Sequence, residues 1–317
     1  YTHALMEYFD TRPYTWGNAT SSELRMATVN TPFWMNDNFI SDPSVGIPSV
    51  AFIAWPDKYY HTSEDTIDRV DPQSLARVAA LTATWAYVLA AAGEAEALQI
   101  AEMVAERADR FIGRAIEKRL DALRAELEKA AEGGDSDGPG KLAEAASDLR
   151  ERVAYLRTRE LAALRSVADL LTDTQRERQT AALGELRAEI EATAERWQSR
   201  AARRLALIAR GHGLSAADAP AEPPLSAAER HAAAIVPYRR LRGIVSNGEL
   251  PKKAQAAITA ASKGGVPRLM LYWVNGERSL LEICQATRIE GDGPPIDPAR
   301  ALKWAEAMRD AGVIGWR

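Results

Sequence analysis

Cysteine is nearly missing from this sequence: Cys284 is the single example in 317 residues. That excludes an internal disulfide framework and any cysteine-based zinc finger, and Cys284 itself reads as a small apolar helix residue. Histidine is scarce, with four in the chain. No uninterrupted apolar run approaches the ~20 residues of a membrane span. The nearest, Leu81 to Ala92, reads as a buried helix, and no membrane partner is expected. Charge of one sign is lacking too, and a net −4 gives no global argument for nucleic acid. There is no glycine-rich phosphate loop and no serine-nucleophile elbow. No signal-peptide pattern follows Tyr1, and the opening Tyr1-Thr-His-Ala-Leu5 suggests a chain cut from something longer.

What is present is a balance of 46% hydrophobic and 26% charged residues, as in a soluble globular protein of two or three domains. Composition shifts twice along the chain. Residues 1–70 are rich in aromatics, proline and asparagine, and predict loops around one short buried strand, Pro48 to Ala54. A helix should follow from Pro72 to about Ala92, with Asp71 as N-cap, Pro72 in its first position and Gly93 ending it.

From Glu94 to Arg210 the residues become alanine, glutamate, arginine and leucine. Val104, Ala108, Phe111, Ala115, Leu120, Leu123 and Leu127 recur every three or four positions, one stripe of an amphipathic helix. Gly133 to Gly140 breaks the pattern. A second stripe runs through Leu142, Leu149, Val153, Leu156, Leu164, Val167 and Leu171. Thr174 and Glu177 match a capping box, and a third stripe follows through Leu183, Leu186, Ile190, Ala194, Trp197, Ala201, Leu205 and Ile208. Three such stripes predict an antiparallel bundle of three helices on the order of 50 Å each, with a structural or self-associating role.

A Gly/Ala/Pro linker spans 211–225. Beyond it, Ser226/Glu229 and Ser279/Glu282 match capping boxes, and Asp297-Pro298 repeats the N-cap-plus-proline start. With an apolar terminal segment, Val313 to Trp316, these elements loosely resemble a winged helix-turn-helix unit. Between 226 and 268, eight Lys/Arg stand against Glu229 and Glu249. Such an excess could touch a phosphate backbone, but a solvated basic surface explains it as well, and nucleic acid is not the expected partner. His212 and His231 are isolated and read as solvent-exposed.

The informative stretch is Gly46-Ile-Pro48 followed by Tyr60-His-Thr-Ser-Glu-Asp-Thr-Ile-Asp68. A histidine just past a buried strand, next to carboxylates, is either a metal ligand or a surface residue. The order Gly-Ile-Pro, apolar strand, Tyr60-His61-Thr62, Asp65-Thr66, Val70-Asp-Pro72 and closing helix resembles the end of the catalytic domain in the co-catalytic two-zinc exopeptidases. That family includes bacterial leucyl aminopeptidases and glutamate carboxypeptidase-like proteins, and the likeness covers about the first 92 residues. It implies that His61 binds zinc and that Tyr60 donates a hydrogen bond to the oxyanion of the tetrahedral intermediate; the alternative for Tyr60 is a partly buried surface aromatic. Asp65 and Asp68 would brace the loop. Phe33, Trp34 and Phe39 could line a peptide-substrate pocket or simply pack.

The same likeness implies a His-X-Asp pair, a Glu-Glu pair and a further aspartate upstream, and neither pair occurs in this chain. The expectation is therefore a fragment: residues 1–92 as the C-terminal part of an α/β zinc-exopeptidase domain, 93–210 a long-helix bundle, 211–225 a linker and 226–317 a small winged-helix-like α(β) unit, mostly helical overall. The parent would be a secreted or periplasmic two-zinc hydrolase. This chain alone should be inactive and hold no zinc tightly. The rival reading is a non-catalytic, peptidase-like interaction module.

Overall fold

The computed structural model describes residues 42–47, 50, 52, 58–133, 138–215, 225–243, 245, 248, 250–263, 268–291 and 293–316. The strand expected over 48–54 lies outside them except at Val50 and Phe52. The described chain is mostly helical, as expected, and divides into two compact units.

In the first unit, helix α1 (Pro72–Ala91) starts where Asp71 predicts. The Asp71 carboxylate accepts hydrogen bonds from the backbone N–H groups of Gln73 and Ser74, and Pro72 occupies a position whose N–H would be unused. Its burial departs from expectation. Leu81 is the one buried residue, while Leu75 is 58%, Tyr87 72% and Leu89 45% exposed. With a mean hydropathy of 1.3 over its most apolar stretch, α1 is also long and apolar enough, by length and composition, to cross a membrane. A search for uninterrupted apolar runs misses it because Arg77, Thr82 and Thr84 interrupt. Both threonine hydroxyls are satisfied internally, donating to the Val78 and Ala80 carbonyls at 2.8 Å.

Three long helices follow: α2 (Glu94–Gly133), α3 (Gly138–Val167) and, after the short α4 (Asp173–Arg178), α5 (Thr180–Gly211). At 1.5 Å rise per residue they are about 60, 45 and 48 Å long. Among the described residues no strand falls in this stretch. α2 and α3 pair antiparallel across the glycine break. α5 returns parallel to α2, and the polar bonds from α5 and the residues just before it to α2 keep a nearly constant offset: Trp197 Nε1 donates to Asp109 Oδ1 at 2.7 Å, 88 residues apart, and the Arg178 and Gln179 side chains just before α5 reach Glu94, 84 and 85 residues apart.

The second apolar stripe is buried as predicted, whereas the first is corrected by one residue in its middle. Ile112 and Ile116 are fully buried, and Phe111 and Ala115 are only half-buried. Phe111 instead carries two guanidinium groups, Arg107 at 5.5 Å and Arg159 at 5.1 Å from its ring. The start of α4 also shifts. The capping box is Thr172 with Gln175, not Thr174 with Glu177: Gln175 Oε1 accepts from Thr172 N at 2.9 Å, and Thr172 Oγ1 accepts from Gln175 N. The pattern of hydroxyl and amide or acid three apart occurs twice here, and Leu171, which must reach the core at 4% exposure, selects the earlier one.

Gly113 lets α5 approach closely. A Cβ there would lie 2.5 Å from Trp197 Cζ2, so the indole lies against bare helix backbone. Gly113→Ala should therefore destabilise the bundle by about 1–3 kcal/mol, overriding the ~0.5–1 kcal/mol that alanine gains in a helix interior. Urea unfolding followed by tryptophan fluorescence reads it, and a stabilised variant would mean the indole is free to move aside.

The second unit comprises α6 (Ala227–Ala234), β1 (Pro237–Arg239), α7 (Lys252–Lys263), a 3-10 turn at Arg268–Trp273, α8 (Leu280–Gly291), α9 (Pro298–Asp310) and β2 (Ile314–Trp316). The capping boxes at Ser226/Glu229 and Ser279/Glu282 and the Asp297 N-cap form as predicted. β1 pairs antiparallel with β2, placing Tyr238 opposite Gly315. Three residues around a proline were too short to announce β1. The core gathers Met270, Leu280, Ile283, Trp304 and Ile314. Cys284 is buried among them, and burial pushes its thiol up to about 12, which makes it unreactive.

Candidate functional site

The stretch from Lys58 to Asp71 is a chain of hydrogen-bonded turns. The Tyr59 carbonyl accepts from both Thr62 N at 3.0 Å and Thr62 Oγ1 at 2.7 Å, and the same hydroxyl accepts from Glu64 N at 3.2 Å. Thr62 thus closes the turn that contains Tyr60 and His61. Asp65 N donates to the Thr62 carbonyl at 3.3 Å, and Thr66 Oγ1 donates to Asp68 Oδ1 at 2.5 Å. A 3-10 turn, Ile67–Arg69, leads to the Asp71 cap. The Tyr59 ring lies against Arg69 at 4.7 Å and Lys58 at 4.8 Å, drawing the two ends of the loop together.

Consecutive side chains on extended backbone point to opposite sides. Here they do not. His61 adopts φ +59°, the only non-glycine residue with positive φ among the described residues. The phenol ring of Tyr60 and the imidazole of His61 stack, with centroids 3.8 Å apart and planes 18° apart. Tyr60 is 44% exposed and His61 is exposed. A left-handed histidine costs on the order of 1 kcal/mol or more, and such positions concentrate where a side chain must be aimed.

Of the residues singled out in the sequence, the structure brings Tyr60 and His61 together on one turn, with Asp65 and Asp68 in the turns that follow. Asp68 bonds Thr66 and lies 3.4 Å from Arg69 Nε. Asp65 contributes through its backbone. Phe33, Trp34 and Phe39 lie outside the described residues. Two residues had no role assigned from the sequence: Tyr59, clamped between cations, and Thr62, part of the Tyr60-His61-Thr62 motif, which ties the turn. A threonine directly after the candidate pair was the available signal for the second. Among the described residues no group of three or more His, Cys, Asp or Glu side chains is placed to hold a metal ion.

Asp71 anchors the far end of the loop. The Ser74 hydroxyl, at 2.6 Å, and then the Ser74 N–H hold its carboxyl below the usual carboxylate value. A depressed carboxyl pKa adds stability above the unfolded value and loses it as pH falls through the folded one. Asp71→Ala should cost about 1 kcal/mol at neutral pH. The gap between variant and parent should close as pH drops below the ordinary aspartate range, measured by urea unfolding across pH. A gap unchanged at acid pH would show that the carboxylate is not the cap.

The basic segment is partly structural. The Arg239 side chain is buried, donates to the carbonyls of Leu241 at 3.0 Å, Leu271 at 3.2 Å and Gly243, and lies 3.6 Å from Asp42. Burial lowers its pKa, and Asp42 opposes that shift. Arg230 donates to the Leu225 carbonyl. His231 is exposed as expected, whereas His212 is half-buried at the end of α5. The chain matches no family model, no curated protein and no solved structure.

Proposed function

We propose that this chain is the C-terminal part of a zinc-dependent aminopeptidase, a hydrolase of peptide N-termini, secreted or periplasmic in its intact form. The observation that carries the reading is the Tyr60–His61 pair. A left-handed histidine turns two adjacent side chains to one side of an exposed, tightly bonded loop. An imidazole and a phenol presented together suit a metal-ligating nitrogen beside a hydrogen-bond donor for a developing oxyanion.

The zinc ions implied by the resemblance do not fit the described residues alone, which place no three ligands together. What this chain's residues would do is narrower. Tyr60 would donate its O–H to the substrate oxygen as charge develops there. His61 would present one imidazole nitrogen, and Thr62, Tyr59 and Asp71 would hold the loop that aims both. Residues 1–92 then belong to an α/β exopeptidase domain completed by ligands elsewhere in the parent, and the C-terminal unit is the winged-helix-like extension.

The second reading, a peptidase-like interaction module without activity, is favoured by α1, whose Leu75, Tyr87 and Leu89 are exposed. The upstream coding sequence separates the two. A His-X-Asp and a Glu-Glu pair there support the peptidase, and their absence supports the module. For the chain by itself, zinc should be lost on dialysis; one zinc per chain surviving, by atomic absorption, would contradict the fragment reading.

A further inference from the structure

Two buried carboxylates sit in the interface between α2 and α3, each held by two arginines. Glu160, fully buried, accepts from Arg107 Nη2 at 2.7 Å and Nε at 3.1 Å, and from Arg159 Nε at 2.9 Å. Asp148 lies 2.9 Å from Arg119 Nε and accepts from Arg152 Nε at 2.9 Å. In each cluster the carboxylate and one arginine come from α3 and the other arginine from α2. The cross-helix pairs share a register: the residue numbers of Arg107 with Glu160, and of Arg119 with Asp148, both add to 267. The clusters are separated by twelve residues on each helix, about 18 Å.

The apolar residues alone leave that register open. On α3 the buried stripe Leu142, Ala145, Leu149, Val153, Leu156, Leu164 and Val167 keeps to steps of three and four, with Glu160 standing where the next apolar residue belongs. On α2, Val104, Ala108, Ile112, Ile116, Leu120, Leu123 and Leu127 do the same. Sliding one helix by a heptad sets apolar against apolar again, and the glycine-rich sequence Gly133 to Gly140 does not select one hairpin length. The charged residues do select. One heptad in one direction sets Glu160 opposite Ile100, Asp148 opposite Ile112, Arg107 opposite Val153 and Arg119 opposite Lys141. In the other direction Glu160 meets Arg114, but Asp148 meets Glu126, Arg107 meets Val167 and Arg119 meets Tyr155.

We infer that the Glu160 and Asp148 clusters are a register lock: they hold the α2–α3 hairpin in a single alignment because each neighbouring alignment breaks both cross-helix ion pairs and sets Arg107 against a valine, while only the same-helix pairs Arg159–Glu160, Arg152–Asp148 and Arg119–Glu126 move with their helices. The device resembles in its physics the buried polar position that specifies register in coiled coils. Ion pairs of this kind add little net stability over an apolar replacement, so their effect should appear in uniqueness of structure.

The experiment is a distance measurement by pulsed electron paramagnetic resonance. Spin labels are placed at Glu106→Cys and Ala154→Cys, both exposed positions, in a Cys284→Ser background of the full chain. With the clusters intact the expected result is one distance. With Arg107, Arg159, Glu160, Arg119, Arg152 and Asp148 all changed to methionine, helix content should persist and a second population should appear, shifted by about 10 Å along the axis, one heptad. One unchanged distance in that variant overturns the inference. Should the sixfold variant not fold, charge exchange decides. Arg107→Glu should lower the melting temperature by roughly 10 °C, and adding Glu160→Arg should recover at least half. A swap that recovers nothing overturns the lock.

Discussion

Replacing Glu160 with alanine should lower the unfolding free energy by about 3–5 kcal/mol, the largest stability effect expected in the protein. Glu160 is fully buried and accepts from Arg107 and Arg159. Removing it takes away the carboxylate that Arg107 and Arg159 share beside Phe111, where their side chains are 23% and 24% exposed. The loss is mainly that uncompensated charge, not the worth of the pairs. Exchanging all three charged residues for methionine should therefore cost far less than the single change to alanine. Urea unfolding of the two variants against the parent measures it. A loss under about 1 kcal/mol for Glu160→Ala would mean that the arginines reach water or other acceptors.

The second large effect concerns chemistry. On the aminopeptidase proposal, Tyr60→Phe in the intact protein should leave zinc content unchanged and reduce turnover about 10²–10³-fold with little change in KM, because the phenol would act on the developing oxyanion and not on the bound substrate. The stacked contact at 3.8 Å between Tyr60 and His61 survives the change to phenylalanine, since it involves the ring and not the hydroxyl. A fall in turnover therefore reports on the O–H donor. Wild-type turnover on an aminoacyl substrate would remove Tyr60 from the reaction.

Much of the helical framework was legible because its signals are local. Asp71-Pro72, Ser226/Glu229, Ser279/Glu282 and Asp297-Pro298 each cap a helix through bonds spanning two to four residues. The second apolar stripe was equally plain. The misreadings came where tertiary context decides. Phe111 matched the helical period as well as Ile112, but two arginines took its ring out of the core. Thr174 and Thr172 offered equivalent caps until Leu171 had to be buried. The apolarity of Leu81 to Ala92 suggested burial, and apolarity cannot say whether a covering surface is present. In the candidate site the two residue types were legible, but the left-handed φ of His61 that brings them to one side was not. No glycine or asparagine marks that position, and the motif names Thr62 without showing that its hydroxyl closes the turn.

The decisive measurement is made on the intact protein, with its upstream sequence, as parent and as His61→Ala. Zinc content is read by atomic absorption, and hydrolysis of an aminoacyl substrate is followed in the same preparations. The aminopeptidase reading predicts bound zinc and turnover in the parent, with both reduced together when the imidazole is removed. If His61→Ala keeps its zinc and its activity, His61 is no ligand, and the resemblance on which the functional proposal rests is wrong.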